Sequence, residues 1–126
     1  MNKNINLYSI LFIIILIVTA ACGDSRAASD YKSHLDKVLL ILKENKDNVS
    51  EAGSVVLNYI KSNEAKIKKL LEQMREYSAY KTEKVYKPVM EAVKKLFEYI
   101  NTNTTEKYPL GNNEELIKAL KILNII

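Results

Sequence analysis

The chain is poor in the residues that build turns, disulfides and cysteine metal sites. Its 126 residues include three Gly, two Pro, one Cys and no Trp. So few turn-forming residues argue against an all-β sandwich, which needs many tight hairpins. A single cysteine excludes a disulfide within the chain and a metal centre built from cysteines. An apolar core must therefore stabilise the domain, and packed helices provide one with few turns.

Groups that perform chemistry are also scarce. The chain has one histidine, His34, and it contains no HExxH, GxSxG or glycine-rich phosphate-binding loop. A metal site, or a nucleophile with its base, normally needs more than one histidine and its sequence neighbours. We therefore expect no enzymatic activity, no metal and no cofactor, and we interpret His34 as a surface or boundary residue.

The balance of charge excludes another class of function. Nineteen basic residues stand against 15 acidic ones, which gives a formal net charge of +4. This surplus is too small to indicate a nucleic acid partner. It is concentrated in residues 61–87, which contain eight bases and four acids. Within this range, Lys61–Arg75 alternates in sign at steps of three and four residues, which predicts a solvated helix face with weak ion pairs.

The first two dozen residues have the pattern of a secretory signal. Lys3 precedes an unbroken apolar run, Ile10–Val18, and small residues then lead to the only cysteine, Cys22. This order predicts a signal peptide that is cleaved from the mature protein. A membrane-spanning helix is one alternative, but it needs roughly 20 consecutive apolar residues, about twice the length of this run. An ordinary signal peptide with a chance cysteine is the other alternative.

The residues around the cysteine make the signal more specific. Thr19-Ala20-Ala21-Cys22 resembles the bacterial lipobox, in which the thiol takes a diacylglyceryl group and a peptidase cuts just before the cysteine. The resemblance implies that residues 1–21 are removed and that acylated Cys22 attaches the chain to a membrane. Residues 22–29, a short polar stretch, would then be a tether. Residues 30–126 would form one small domain.

Apolar residues recur at helical spacing through the first half of this domain. A first helix is predicted to begin with Ser29 or Asp30 as its N-cap. Asn48 and Glu51 have the spacing of a capping box and predict the start of a second helix. We expect that helix to continue to about Tyr77.

Two positions interrupt the helical pattern and leave alternatives open. Ser62-Asn63 is a weak point of the long second helix, and a bend or a new helix there is the alternative. Pro88 predicts the start of a third helix, because a missing amide is tolerated in a first turn. A kinked helix that runs from Thr82 through Pro88 is the alternative.

The C-terminal part predicts a loop and one short helix. Residues 101–113 are rich in Asn and Thr and contain a Pro and a Gly, so we interpret them as a loop. Asn112 stands three residues before Glu115 and predicts the cap of a final helix. The apolar tail 122–126 is expected to dock into the core or to face a partner. The predicted fold is all-α, a small bundle of about four helical segments.

Tyrosines and lysines alternate where the helical pattern weakens, and we predict a ligand surface there. Lysines present mobile charges and tyrosines offer rigid contact area, which suits a sulfated glycan, an anionic lipid headgroup or an acidic protein patch. The alternative is that the tyrosines cover the end of the bundle while the lysines keep the turn soluble. The candidate ligand-binding residues are Tyr77, Tyr80, Lys81, Lys84, Tyr86 and Lys87.

A lipobox, abundant Asn, Ile and Lys, and a short tether before a helical domain resemble the small surface lipoproteins of Lyme-disease and relapsing-fever spirochaetes. Membership would imply a protein of the cell envelope, anchored in the outer membrane and facing the cell exterior. It would also imply a non-catalytic module that binds a host protein or a glycosaminoglycan. The resemblance carries over Cys22 and no other residue. The alternative function is an envelope subunit that forms homo-oligomers, or pairs with another protein, through the tail 122–126.

Overall fold

The computed structural model of the chain describes residues 25–76, 83–106 and 109–126. These residues form helices and no strand, which confirms the predicted all-α bundle. The α-helices are α1 (Ser25–Glu44), α2 (Val49–Ser62), α3 (Glu64–Glu76), α4 (Glu83–Thr102) and α5 (Glu114–Ile122), and a short 3-10 helix, Leu110–Asn112, precedes α5. One isolated bridge joins Thr104 to Pro109 in the predicted loop.

The ends of the helices cluster at two opposite ends of the bundle. α1 packs on α4, and the Tyr99 hydroxyl near the end of α4 donates a hydrogen bond to the Leu42 carbonyl oxygen near the end of α1, over 3.5 Å. α2 and α5 begin beside each other, since Asn113 Nδ2 donates to the Val49 carbonyl oxygen over 3.3 Å. The ends of α1 and α4 and the starts of α2 and α5 therefore form one end of the bundle, the distal end. The starts of α1 and α4 form the opposite end, the tether end.

The first helix begins earlier than predicted. α1 starts at Ser25, whereas the sequence predicted an N-cap at Ser29 or Asp30. Ala27 and Ala28 are only 2% and 3% exposed, so they belong to the core. Alanine is the strongest helix former, and small side chains permit close helix packing. The prediction that residues 22–29 form a tether is therefore wrong for residues 25–29, and Cys22 lies outside the described residues.

The predicted long second helix is two helices, so the alternative of a new helix is confirmed. Asn48 caps α2 as predicted, with its Oδ1 accepting a hydrogen bond from the Glu51 amide over 3.1 Å. The break falls at Asn63, whose φ of −114° and ψ of 10° are not helical. The Asn63 side chain donates to the Tyr59 carbonyl oxygen over 2.8 Å and so stabilises the end of α2. Because of this break, α3 can pack on α1.

Pro88 lies inside α4 and does not begin it. The helix starts at Glu83, so the alternative of a helix that runs through Pro88 is confirmed and the predicted boundary is wrong. Proline removes one hydrogen bond to the preceding turn. Pro88 is exposed, so water can satisfy the carbonyl group that loses this partner.

The last helix is capped one residue later than predicted. Asn113, and not Asn112, is the N-cap of α5, and its Oδ1 accepts from the Leu116 amide over 2.9 Å. At the other end the chain turns back through Asn124, which has a φ of 63°. The amide of Asn124 donates to the Lys121 carbonyl oxygen over 3.0 Å, and that of Ile125 donates to Leu120 over 3.2 Å. These two bonds form a Schellman motif, in which Asn tolerates the left-handed position.

The described residues enclose one apolar core. It receives side chains from all five helices and from the tail, where Leu123 and Ile125 are 0% exposed. The expectation that the tail docks into the core is therefore confirmed. Among the described residues, the buried apolar side chains extend from Ala27 to Ile125. The largest fully buried side chains are Tyr31, Phe97, Leu35, Leu42, Ile60, Ile67, Leu96, Ile100, Leu116, Leu120, Leu123 and Ile125.

Candidate functional site

The structure describes only part of the ligand surface that the sequence predicted. Tyr77, Tyr80 and Lys81 lie outside the described residues, and Lys84 lies in the first turn of α4, where its side chain is not described. Tyr86 is half-buried and packs against the core, which favours a structural role for this tyrosine. Lys87 is exposed beside it. Neither Tyr86 nor Lys87 lines the groove described next.

A groove of about 540 Å³ runs between α3 and the end of α5. It is open to solvent, and its walls come from two segments that are far apart in the sequence. The α3 wall presents charged side chains, and the α5 wall ends in the Schellman turn. The lining residues are Glu64, Lys68, Leu71, Glu72, Arg75, Lys121, Ile122 and Asn124.

The local sequence of each wall explains how the groove forms. α3 buries Ile67, Leu71 and Met74, which recur at steps of four and three and face the bundle. Its charged residues must then face outwards, along the groove and the solvent. On the other wall, the left-handed Asn124 reverses the chain so that Ile125 returns to the core. Asn124 itself stays half-exposed and lines the groove.

The groove has a positive surplus that its own residues do not neutralise. Lys68 Nζ lies 2.7 Å from Glu64 Oε2, so these two charges offset each other. Arg75 and Lys121 are exposed and have no ion-pair partner among the described side chains, and Glu72 is the remaining acid. Three cations against two carboxylates leave one positive charge. An anionic group can therefore bind here without displacing an existing ion pair.

Apolar side chains give the groove a second chemical character. Leu71 is buried and Ile122 is half-buried, and both line the groove with the charged groups. A guanidinium can bind a phosphate, sulfate or carboxylate through two parallel hydrogen bonds, whereas an ammonium acts as a point charge. Arg75 and Lys121, with Leu71 and Ile122 in the same groove, thus suit an anion that also carries a small apolar group.

Sequence reasoning missed this groove. The alternating charges of Lys61–Arg75 predicted a solvated helix face with weak ion pairs, and Lys68 and Glu64 do form such a pair. No local pattern connects Arg75 with Lys121 or Asn124, which are more than 40 positions away. Only the packing of α3 on α1 and of α5 on α2 brings them together.

His34 forms a polar contact between α1 and α2. Its Nδ1 is hydrogen-bonded to the Tyr59 hydroxyl at 2.7 Å, and the two ring centroids are 5.9 Å apart. Burial lowers the pKa of His34 below its ordinary value of 6.5, the nearby charge of Lys66 lowers it further, and Asp30 partly opposes this. Burial also raises the pKa of Tyr59, so its hydroxyl stays protonated. The half-buried position agrees with the predicted boundary residue.

Protonation of His34 is expected to weaken the fold slightly in mild acid. Its pKa is lowered in the folded state, so the stability that it contributes is complete above about pH 6.5 and is lost as the pH falls through the folded pKa. NMR titration of the only histidine should give a pKa below 6.5, and Lys66→Gln should raise it. The urea midpoint should fall between pH 7 and pH 5 more in the wild type than in His34→Gln. A larger fall in His34→Gln would contradict the prediction.

The described residues contain neither a metal centre nor a helix that could span a membrane. No group of three or more His, Cys, Asp or Glu side chains within residues 25–76, 83–106 and 109–126 could hold a metal ion. In the same ranges, every helix is too short or too polar to cross a membrane. The chain matches no protein-family model, no curated protein and no solved structure.

Proposed function

We propose that this chain is a lipid-anchored, non-catalytic binding domain of a bacterial cell envelope, and that it recognises an anionic ligand in the groove between α3 and α5. The observation that carries the ligand class is that Arg75 and Lys121, which have no ion-pair partner among the described side chains, line the groove together with Leu71 and Ile122. Concave sites with a few convergent polar groups on an apolar surface are the usual places for ligand binding.

The anchor is the acylated Cys22 that the lipobox-like pattern predicts. α1 begins at Ser25, three residues later, so the helical domain would stand directly at the membrane surface. We propose the outer membrane, facing the cell exterior, as its location, on the resemblance to spirochaetal surface lipoproteins. A molecule of the host or of the cell surface that carries sulfate, phosphate or carboxylate groups fits both the location and the charge of the groove.

The alternative function, pairing through the tail 122–126, has less support. That role requires the apolar side chains of the tail to be exposed, but Leu123 and Ile125 are fully buried in their own bundle. Among the large apolar side chains of the described ranges, only Leu40 is classed as exposed, at 47%. A single exposed leucine is a small patch for a stable homo-oligomer.

Chromatography on immobilised heparin tests the proposed groove. The double variant Arg75→Gln and Lys121→Gln should elute at distinctly lower salt than the wild type, because it removes the two groove cations that have no described ion-pair partner. Lys69→Gln with Lys95→Gln is the matched control, since both residues are exposed, lie outside the groove and remove the same charge. Equal losses in the two double variants would show that only net charge matters.

A third variant separates the groove from the surface that the sequence predicted. Lys81, Lys84 and Lys87 are changed together to Ala. If this variant alone loses heparin retention, the ligand surface lies at the start of α4 and the groove proposal fails. Mass spectrometry of the purified native protein tests the anchor independently, because an unmodified Cys22 thiol would remove the proposed membrane attachment.

A further inference from the structure

The α5 end of the groove lies close to the start of α1, the part of the domain nearest to the proposed membrane anchor. The Tyr31 hydroxyl donates a hydrogen bond of 2.6 Å to the Leu123 carbonyl oxygen, next to the groove residues Ile122 and Asn124. Tyr31 is six residues into α1, a rise of about 9 Å from Ser25. The end of the α5 wall therefore lies beside the first two turns of α1, in the tether half of the bundle.

The distance from this region to the acylated residue is short. Three residue steps separate Cys22 from Ser25 and span at most about 10 Å. Adding the rise along α1, the α5 end of the groove lies within roughly 20 Å, measured along the axis of α1, of a residue whose acyl chains sit in the bilayer. This step rests on the proposed function, because it requires that Cys22 is acylated. A lipid headgroup of the same membrane is then the nearest abundant anion.

The distribution of charge also favours an orientation in which the distal end points away from the membrane. Within about one helical turn of the distal end, described acids outnumber described bases by seven to three, a net charge of −4. An anionic bilayer repels this end and attracts the basic groove, whose α5 wall ends in the other half of the molecule. The acids are Glu44, Asp47, Glu51, Glu98, Glu106, Glu114 and Glu115, and the bases are Lys43, Lys46 and Lys118.

We propose that the groove binds the headgroup of an anionic phospholipid in the membrane that carries the domain. Arg75 binds the phosphate through two hydrogen bonds, and Lys121 adds a point charge. Leu71 and Ile122 contact the glycerol and the first methylene groups of the lipid. The acylated Cys22 and the occupied groove together hold the domain against the bilayer, with its distal end directed away from the membrane.

Vesicle binding of an unacylated chain isolates the groove from the anchor. The protein is residues 22–126 with Cys22→Ser, which retains every buried apolar residue that the structure describes. It is sedimented with vesicles of phosphatidylcholine alone and of phosphatidylcholine mixed with phosphatidylglycerol. Binding to the mixed vesicles should exceed binding to phosphatidylcholine. Arg75→Gln with Lys121→Gln should weaken it by more than tenfold, because each cation near an anionic surface contributes about fivefold.

The control variant and the heparin column decide among the other outcomes. Lys69→Gln with Lys95→Gln should weaken vesicle binding clearly less than the groove variant, and circular dichroism should show that both variants are folded. Equal weakening would overturn the groove as the lipid site. No preference for phosphatidylglycerol, with heparin retention intact, would overturn the lipid proposal and leave a glycan as the ligand. No binding to either would overturn both proposals.

Discussion

Removal of residues 123–126 is expected to unfold the domain. Leu123 and Ile125 are 0% exposed, and the loss of each buried aliphatic side chain costs about 2–5 kcal/mol. The truncation also leaves the buried Tyr31 hydroxyl without its acceptor, which adds about 1–3 kcal/mol. The sum is comparable to the whole stability of a small domain, about 5–15 kcal/mol. Circular dichroism of the truncated chain should show no cooperative urea transition.

Two milder variants separate the parts of this effect. A chain without Ile126 alone, which is half-buried, should remain folded and lose at most about 2 kcal/mol. Tyr31→Phe removes only the hydroxyl, whose pKa burial raises above its ordinary range, and should cost about 1–2 kcal/mol. If the truncated chain unfolds cooperatively at nearly the wild-type urea concentration, the tail is not part of the core.

Replacement of Gly53 by Ala is expected to destabilise the protein, although the same change normally stabilises a helix by about 1 kcal/mol. A Cβ atom at Gly53 would overlap Oδ1 of Asn113 and stand 2.5 Å from its Cγ. Asn113 cannot move freely, because it caps α5 through Leu116 and bonds to Val49 of α2. Overpacking and a weakened cap together should cost about 2–3 kcal/mol, measured by urea unfolding.

A double-mutant cycle makes this prediction specific. Asn113→Gly removes the side chain that a Cβ would meet and should itself cost only a few tenths of a kcal/mol as a cap, plus about 1 kcal/mol for the bond to Val49. In that background Gly53→Ala should become neutral or stabilising, by up to about 1 kcal/mol. A destabilisation of equal size in both backgrounds would show that Asn113 is not the obstacle.

Local signals in the sequence predicted most of the helices but not all of their limits. The Asn48 cap was confirmed because its side chain bonds within its own first turn, to the Glu51 amide. Asn112 and Asn113 are both suitable N-cap residues. Asn113 takes this position because its side chain also donates to the Val49 carbonyl oxygen and lies next to Gly53, contacts with residues distant in the sequence. The prediction that Pro88 begins a helix is wrong because a proline is tolerated inside a helix where its side of the helix is exposed. That exposure depends on tertiary packing.

The sequence by itself determined that this protein is an all-α bundle and that its tail is too apolar to remain in water, because helical periodicity and scarce Gly and Pro are local properties. Only the tertiary structure decided that α2 and α3 separate at Asn63, that Ala27 and Ala28 are buried, and that Arg75 and Lys121 share a groove. These facts depend on contacts between residues far apart in the chain. A single sequence carries no periodic signal for such contacts, because each residue fits the pattern of its own helix whichever distant residue it contacts.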